Sequence, residues 1–207
     1  MASISKYTLK RFPLYLEYIK RIDIKKRSYV SSKQIAMALG FGEVQVRKDL
    51  ALLSCVGRPK VGYDIVELKN ALTKALICKQ NNDAVLVGVG KIGQALLGYL
   101  GFSEFGLNIE AGFDIDEKKV GTSIAGRPIY RLDELKDYVN KNNVKIVILT
   151  VPKEFAQKVV DMLRDTCVKG YWNFALVGLN VPDGVVVKTE NIATSLLQLS
   201  MQISEKD

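Results

Sequence analysis

AVLVGVGKIGQALLGYL, residues 84–100, joins a strand, a phosphate-binding turn and a helix in one unit. Ala84 to Val87 form an apolar run of the length of a buried strand. Gly88, Gly90 and Gly93 then spell G-x-G-x-x-G, with Val89, Lys91 and Ile92 among them. An amphipathic helix follows through Ala95, Leu96, Leu97 and Leu100. One glycine makes the tight turn, one admits the backbone to a pyrophosphate, and one lets helix pack on strand. The helix start offers unpaired N–H groups and a positive dipole end to the phosphates. A second β-like run, Asn108 to Phe113, ends at Asp114, at the distance where an acid meets the adenosine ribose hydroxyls. The stretch therefore reads as the start of a dinucleotide-binding domain.

Downstream, β and α patterns alternate. Strands are predicted at 84–88, 108–114, 144–151 and 171–176, with a short one near 185–188. Helices are predicted at 91–100, 132–141 and 153–167, which implies a doubly wound parallel sheet covered on both faces. A last helix, Glu190 to Ile203, carries Ile192, Leu196, Leu199 and Ile203 on one stripe. That stripe can pack on its own domain or on a partner subunit.

Upstream of the polar stretch Lys79–Asp83 the chain is different. The net charge of +8 is concentrated there: residues 1–80 hold sixteen Lys/Arg against six Asp/Glu, and residues 81–207 fourteen against sixteen. A compact basic segment points to a polyanionic partner. Thr8 to Ile22 has helical spacing, with Leu9, Leu14, Tyr15, Tyr18, Ile19 and Ile22 recurring and Pro13 either near a first turn or marking an offset. A second helix opens at Ser31, with Gln34 at capping-box spacing, and runs to Leu39. After the turn Gly40-Phe41-Gly42, a third helix, Glu43 to Leu53, exposes Gln45, Arg47 and Lys48. Two short helices about a glycine turn, the second one basic, make a helix-turn-helix. Val56 to Tyr63 reads as a hairpin with Arg58 and Lys60 at its tip, as the wing of a winged helix requires. Ile65 to Cys78 is a fourth helix. The domains are therefore 1–80, winged helix; 81–188, dinucleotide-binding; and 189–207, the terminal helix.

Other classes drop out. The chain has no histidine and no C-x-x-C, and three scattered cysteines, Cys55, Cys78 and Cys167, so no zinc site is expected. No apolar run near roughly 18 residues is visible, so neither a membrane span nor a secretory signal is expected, and the protein is placed in the cytoplasm with its cysteines reduced and buried. Without histidine or a catalytic grouping of Lys, Tyr and Ser, an oxidoreductase is disfavoured.

Several stretches together resemble the Rex family of redox-sensing bacterial repressors. They are Leu9 to Tyr15, Val30-Ser31-Ser32, Gln45 to Leu50, Val61-Gly62-Tyr63, the glycine turn to Phe102, and 113–121, 148–152, 173–175 and 179–182. The resemblance implies a homodimer that binds double-stranded operator DNA and senses NADH against NAD⁺. It also implies a terminal helix swapped into the other subunit, and operator release on NADH binding, which requires that NADH prefer the released conformation. By that resemblance Gln45, Arg47 and Lys48 face the major groove, Arg58, Lys60 and Tyr63 belong to the wing, and Lys10, Arg11, Ser31 and Ser32 meet flanking phosphates. Asp49 would hold a neighbouring Arg or a helix in place. The turn 88–93 would meet the pyrophosphate, Asp114 and Lys119 the adenosine end, and Thr150, Val151, Pro152, Asn173 and Tyr99 the nicotinamide. The chain departs from the family at Glu17 and Asn191, where an arginine and an aspartate are usual and form a state-dependent ion pair. Ser195, Leu197, Lys91 and the Pro59-Lys60 tip are further departures. A DNA-binding regulator that takes a nucleotide without a redox switch stays open beside the redox-sensing repressor.

Overall fold

Ser5 starts the first helix, its hydroxyl accepting the Thr8 N–H at 3.2 Å. In the computed structural model, which describes residues 4–76 and 83–204, the chain divides into two units, Met1–Lys79 and Gln80–Asp207. The first unit opens with α1 (Lys6–Lys20), and Pro13 lies inside it rather than in a first turn. Pro13 has no N–H to give the preceding turn, and the helix is held instead by its buried face. That face is Phe12, Tyr15, Leu16 and Ile19, which keeps Tyr15 and Ile19 of the predicted stripe, while Leu9 and Leu14 face outward and Phe12 and Leu16 take their place.

A two-residue strand β1 (Tyr29–Val30) leads into α2 (Ser32–Leu39), whose reciprocal Ser31–Gln34 capping box forms as expected. Gly40, at φ 69°, closes α2 in the left-handed region. Next comes α3 (Glu43–Leu50), shorter than predicted because the Leu52 and Leu53 N–H groups turn back onto the Asp49 and Leu50 carbonyls. β2 (Tyr63–Asp64) pairs antiparallel with β1. The Asp64 carboxylate then accepts the Val66 and Glu67 N–H groups at 2.9 and 3.0 Å, starting α4 (Ile65–Leu76). Cys55 is buried in this unit, and Cys78 lies outside the described residues.

The second unit holds a seven-stranded sheet. Its strands are β3 (Ala84–Val87), β4 (Ile109–Asp114), β5 (Ser123–Ile124), β6 (Arg127–Arg131), β7 (Ile146–Leu149), β8 (Gly170–Asn173) and β9 (Val186–Thr189). Their order is β5-β6-β4-β3-β7-β8-β9, all parallel except β5. The six parallel strands thus run 3-2-1-4-5-6, the doubly wound dinucleotide order. The order reverses beside β3, where such sheets bind ligands outside their carboxyl ends. β5 and β6 were not anticipated, because Gly126 and Pro128 read as a turn and arginines occupy both ends of β6.

Helices α5 (Lys91–Gly98), α6 (Leu135–Lys141) and α7 (Lys153–Met162) connect the strands. Alternation along the strands splits the core between two faces. Val85, Val87, Ala111, Phe113, Val147 and Leu149 pack with Leu135, Val139, Val159 and Val160 of α6 and α7. Leu86, Val89 and Ile148 pack with Leu97 of α5 on the other face. Cys167 is half-buried here. The terminal helix α8 (Ile192–Ser204) buries no residue, so its apolar stripe is unpartnered in the single chain.

Candidate nucleic-acid interface and dinucleotide cleft

In the first unit α3 turns Val46, Asp49 and Leu50 inward and leaves Gln45, Arg47 and Lys48 exposed. What fixes that orientation is Asp49. Its carboxylate accepts Arg11 Nε at 2.6 Å, Arg11 Nη2 at 2.8 Å, the Tyr15 hydroxyl at 2.7 Å and the Thr8 hydroxyl at 3.3 Å. Gln45 Nε2 also reaches it, at 3.4 Å. Burial would raise the Asp49 carboxyl, but the Arg11 and Tyr15 hydrogen bonds outweigh it and hold the group below the usual carboxylate range. Burial and the bond to Asp49 push the Tyr15 phenol up. Arg11 is thereby corrected: a bidentate fork on a buried carboxylate takes it from the phosphate contacts. Lys10 remains exposed, and Asp49 holds an arginine as expected.

The wing is a short hairpin in which Arg58 and Gly62 exchange backbone hydrogen bonds of 2.8 and 2.9 Å. Lys60 stands at its tip in the left-handed region, φ 63°. Gly62 has φ 106°, and a Cβ there would lie 2.5 Å from the Val30 carbonyl oxygen, so the wing root admits only glycine. Arg58 donates to the Tyr29 hydroxyl at 3.0 Å and lies 5.5 Å from that ring's centroid. Tyr29 was not singled out in the sequence, since an aromatic beside a short strand carries no signal of its own. Tyr63 is largely buried, and its ring packs under Gly57, where a Cβ would come within 2.9 Å. Tyr63 thus supports the wing from beneath and also lines the depression beside it. Between wing and helices lies a depression of about 360 Å³ lined by Ser31, Ser32, Arg47, Arg58 and Lys60. Hydroxyls and three cations around one hollow suit phosphate oxygens.

In the second unit the three glycines of the turn meet different surroundings. A Cβ on Gly88 would meet Val151 at 2.8 Å and the Thr150 backbone at 2.9 Å. One on Gly93 would lie 2.3 Å from the Gly88 carbonyl oxygen. Gly90 has nothing within 4 Å, so open space lies above the backbone at the start of α5. No side chain caps that helix, and its first N–H groups face the opening with Lys91 and Ile92 exposed beside them. An uncapped helix start over a bare backbone fits a pyrophosphate. Thr150 fastens the turn from β7, its hydroxyl 2.6 Å from the Gly88 carbonyl. Pro152 is the exposed N-cap of α7.

Asp114 sits at the end of β4 and is largely buried. Its carboxylate accepts the Val89 N–H at 2.7 Å, the Asp116 N–H at 2.9 Å and the Lys119 ammonium at 3.1 Å. Burial would raise it, yet those three donors hold it below the ordinary range. It therefore clasps the glycine turn to β4, as well as lining a cavity of about 260 Å³ with Ile115, Val120, Arg131, Leu132, Asp133 and Met162. The apolar members of that lining offer faces to a flat base. The sequence had not marked them, because they come from the segments after β4 and β6 and from the end of α7 and converge only when the sheet forms.

At the other end of the turn, Tyr99 is 57% exposed and not a core aromatic. Its ring heads an edge-to-face series through Phe102, Trp172 and Phe174. Asn173 is corrected: it is fully buried. Its amide donates to the Val177 carbonyl at 2.8 Å, and its oxygen accepts the Ala175 N–H at 2.9 Å. It shapes the loop after β8 and presents nothing to a ligand. Glu17 lies 3.6 Å from Lys20. Asn191 caps α8, accepting the Thr194 N–H at 3.2 Å. Among the described residues no group of His, Cys, Asp and Glu could hold a metal ion, and no helix is long and apolar enough to cross a membrane.

Comparison with known proteins covers both units. Residues 3–51 match the family model of a putative DNA-binding protein N-terminus, and residues 79–177 that of a CoA binding domain. A redox-sensing transcriptional repressor Rex of Treponema denticola is 37% identical over 96% of this chain and 95% of its own length. One of Clostridium tetani is 36% identical over 99% of this chain and 97% of its own. Among solved structures, RSP in complex with β-NAD⁺ and operator DNA superposes with a TM-score of 0.83 at 29% identity, covering 100% of this chain and 95% of RSP. RSP in complex with β-NADH gives 0.84 at 29% identity, covering 100% and 97%.

Proposed function

The chain belongs to the Rex family of redox-sensing transcriptional repressors, and from that premise we propose how its own residues do the work. It is a DNA-binding repressor and not an enzyme: α3 enters the major groove of an operator with Gln45, Arg47 and Lys48. Arg47 suits guanine edges, while Lys48 and Gln45 suit edges or phosphate. Lys60 and Arg58 of the wing, with Ser31, Ser32 and Lys10, take phosphates along the flanks. The second unit takes NADH or NAD⁺ on the turn 88–93, with Asp114 and Lys119 toward the adenosine ribose and Thr150, Val151, Pro152 and Tyr99 toward the nicotinamide.

The observation that carries this reading is the pairing, in one chain, of an uncapped α5 start over Gly90 with a helix-turn-helix whose outer face is cationic. A bound nicotinamide dinucleotide supplies no chemistry to DNA; it contributes only a difference in binding energy between two conformations. The protein works as a homodimer in the cytoplasm. The exposed stripe Ile192, Leu196, Leu199 and Ile203 of α8 is the surface that a second copy covers, with α8 swapped into it.

Operator binding followed by fluorescence anisotropy across NADH/NAD⁺ ratios tests the proposal. NADH should weaken binding more than NAD⁺ does; equal affinity at every ratio removes the redox sensing and leaves a constitutive DNA-binding protein. A second reading, nucleotide binding without a redox switch, draws on the Glu17–Lys20 pair and the uncharged Asn191 cap. Restoring charge with Glu17→Arg and Asn191→Asp together separates the two. A response that appears only in the double variant supports the second reading.

A further inference from the structure

Asp114 and Arg131 are register partners at the ends of adjacent strands β4 and β6, and both line the 260 Å³ cavity. In a doubly wound domain the ribose 2′ position of a bound adenosine falls against the acid at the end of the second strand. A cation one strand away, at the same level, is where a 2′-phosphate would find a partner. Here that cation is already engaged. The Arg131 guanidinium donates to the Glu117 carboxylate and, from Nε, to Asp133 at 3.5 Å. Lys119, the other cation at this end, lies 3.1 Å from Asp114 and 3.5 Å from Asp116. Four carboxylates thus engage two cations around one cavity mouth.

We infer that Glu117 and Asp133 act through Arg131 as specificity residues, holding the cavity to a dinucleotide with a free 2′-hydroxyl and rejecting a 2′-phosphorylated one. The inference rests on the cleft binding NAD(H). A phosphate monoester entering there meets the Asp114 carboxylate in front and an arginine whose Nη1 and Nε are turned to two other acids. To bind bidentately it would have to displace at least one of them, and the two acids lower the net positive charge that the arginine can offer it. Glu117 and Asp133 are positioning residues: they set the direction and availability of the Arg131 donors.

Calorimetry of the full chain with NADH and NADPH reads the effect as a ratio of dissociation constants. The wild type should bind NADH and discriminate strongly against NADPH. The Glu117→Gln, Asp133→Asn double variant frees the guanidinium and should narrow the ratio by about tenfold, the ratio being read separately from any change in NADH affinity itself. Adding Arg131→Met to that double variant should restore the discrimination, which a general loosening of the loop would not do. All three side chains are exposed enough for the variants to fold, and far-UV dichroism checks it. A double variant with an unchanged ratio and intact NADH binding overturns the inference, as does a wild type that takes NADPH as tightly as NADH. A wild type that binds neither nucleotide fails the underlying reading instead, and the inference with it.

Discussion

Replacing Asp49 with Asn tests whether the recognition helix is held from behind by charge. The carboxylate is nearly inaccessible and receives four hydrogen bonds of 2.6–3.3 Å from α1. Asparagine keeps the shape but removes the charge opposite Arg11 and replaces one acceptor by a donor facing other donors. Breaking a buried ion pair from one side costs roughly 3–5 kcal/mol. The Arg11 side chain is 19% exposed, so water takes up part of its orphaned charge, and the lower end, about 3 kcal/mol, is expected. Tyr15→Phe removes only one hydroxyl from a charged acceptor and should cost about 1.5 kcal/mol. Trp172, the only tryptophan, lies in the second unit, so two probes separate the two units. In urea the far-UV dichroism transition should move to lower concentration in Asp49→Asn, while Trp172 fluorescence keeps its midpoint. Operator affinity should fall and NADH affinity hold. A cost below about 1 kcal/mol, or one no larger than that of Tyr15→Phe, refutes the reasoning, because a buried charge would then be lost without penalty.

Gly90→Ala should fold normally, since a Cβ there meets nothing, yet lose most NADH affinity by filling the space over the helix start; calorimetry and a thermal melt read the two separately. Gly93→Ala should instead lower the melting temperature, because its Cβ would press on the Gly88 carbonyl oxygen. Lys60→Gly removes the wing-tip charge without strain at φ 63°, and should reduce the slope of log affinity against log salt by about one while leaving operator preference unchanged. The folded pKa values of Asp49 and Asp114 are depressed, so their stabilisation is complete above the unfolded value of about 3.9 and lost as pH falls through the folded value. Tyr15 is raised, so its share is present below about pH 10 and lost at higher pH. Melting temperatures from about pH 3 to about pH 11 should therefore fall off at both ends, and Tyr15→Phe should soften the alkaline fall and, by taking one donor from Asp49, part of the acid fall, while leaving the share of Asp114 in place.

Much of the fold could be read from spacing. The strand–turn–helix at 84–100, the capped α2 and the basic α3 all follow from short-range chemistry: glycine φ, a serine–glutamine box, and a 3.6-residue period. β5 and β6 could not, because β6 gains its strand character from pairing Ile129 and Tyr130 with Gly112 and Phe113 of β4, β5 gains its own from pairing with β6, and both override the turn signals of Gly126 and Pro128. In α1, Tyr15 and Ile19 are buried as expected, but Leu9 and Leu14 are not, for a related reason. Leu9 and Leu14 are as apolar as Phe12 and Leu16, and only the packing of the folded unit decides which pair is buried.

The site residues divide along the same line. Gln45 is partly tied to Asp49, but Arg47, Lys48 and the three glycines are marked by a charge left exposed or a side chain left out. A sequence shows that directly. Arg11 and Asn173 were misplaced because a polar side chain beside a binding surface has the same letter whether it points out to a ligand or in to the protein. Under the proposed function Asp114 combines the two roles. The carboxylate proposed to meet a ribose is also the acceptor that draws the Val89 N–H and Lys119 together, so the turn is held in shape before any ligand arrives. Replacing it should therefore reduce affinity twice over, once through the lost contact and once through the loosened turn. A ligand that needs no ribose contact, such as inorganic pyrophosphate, should feel only the second loss.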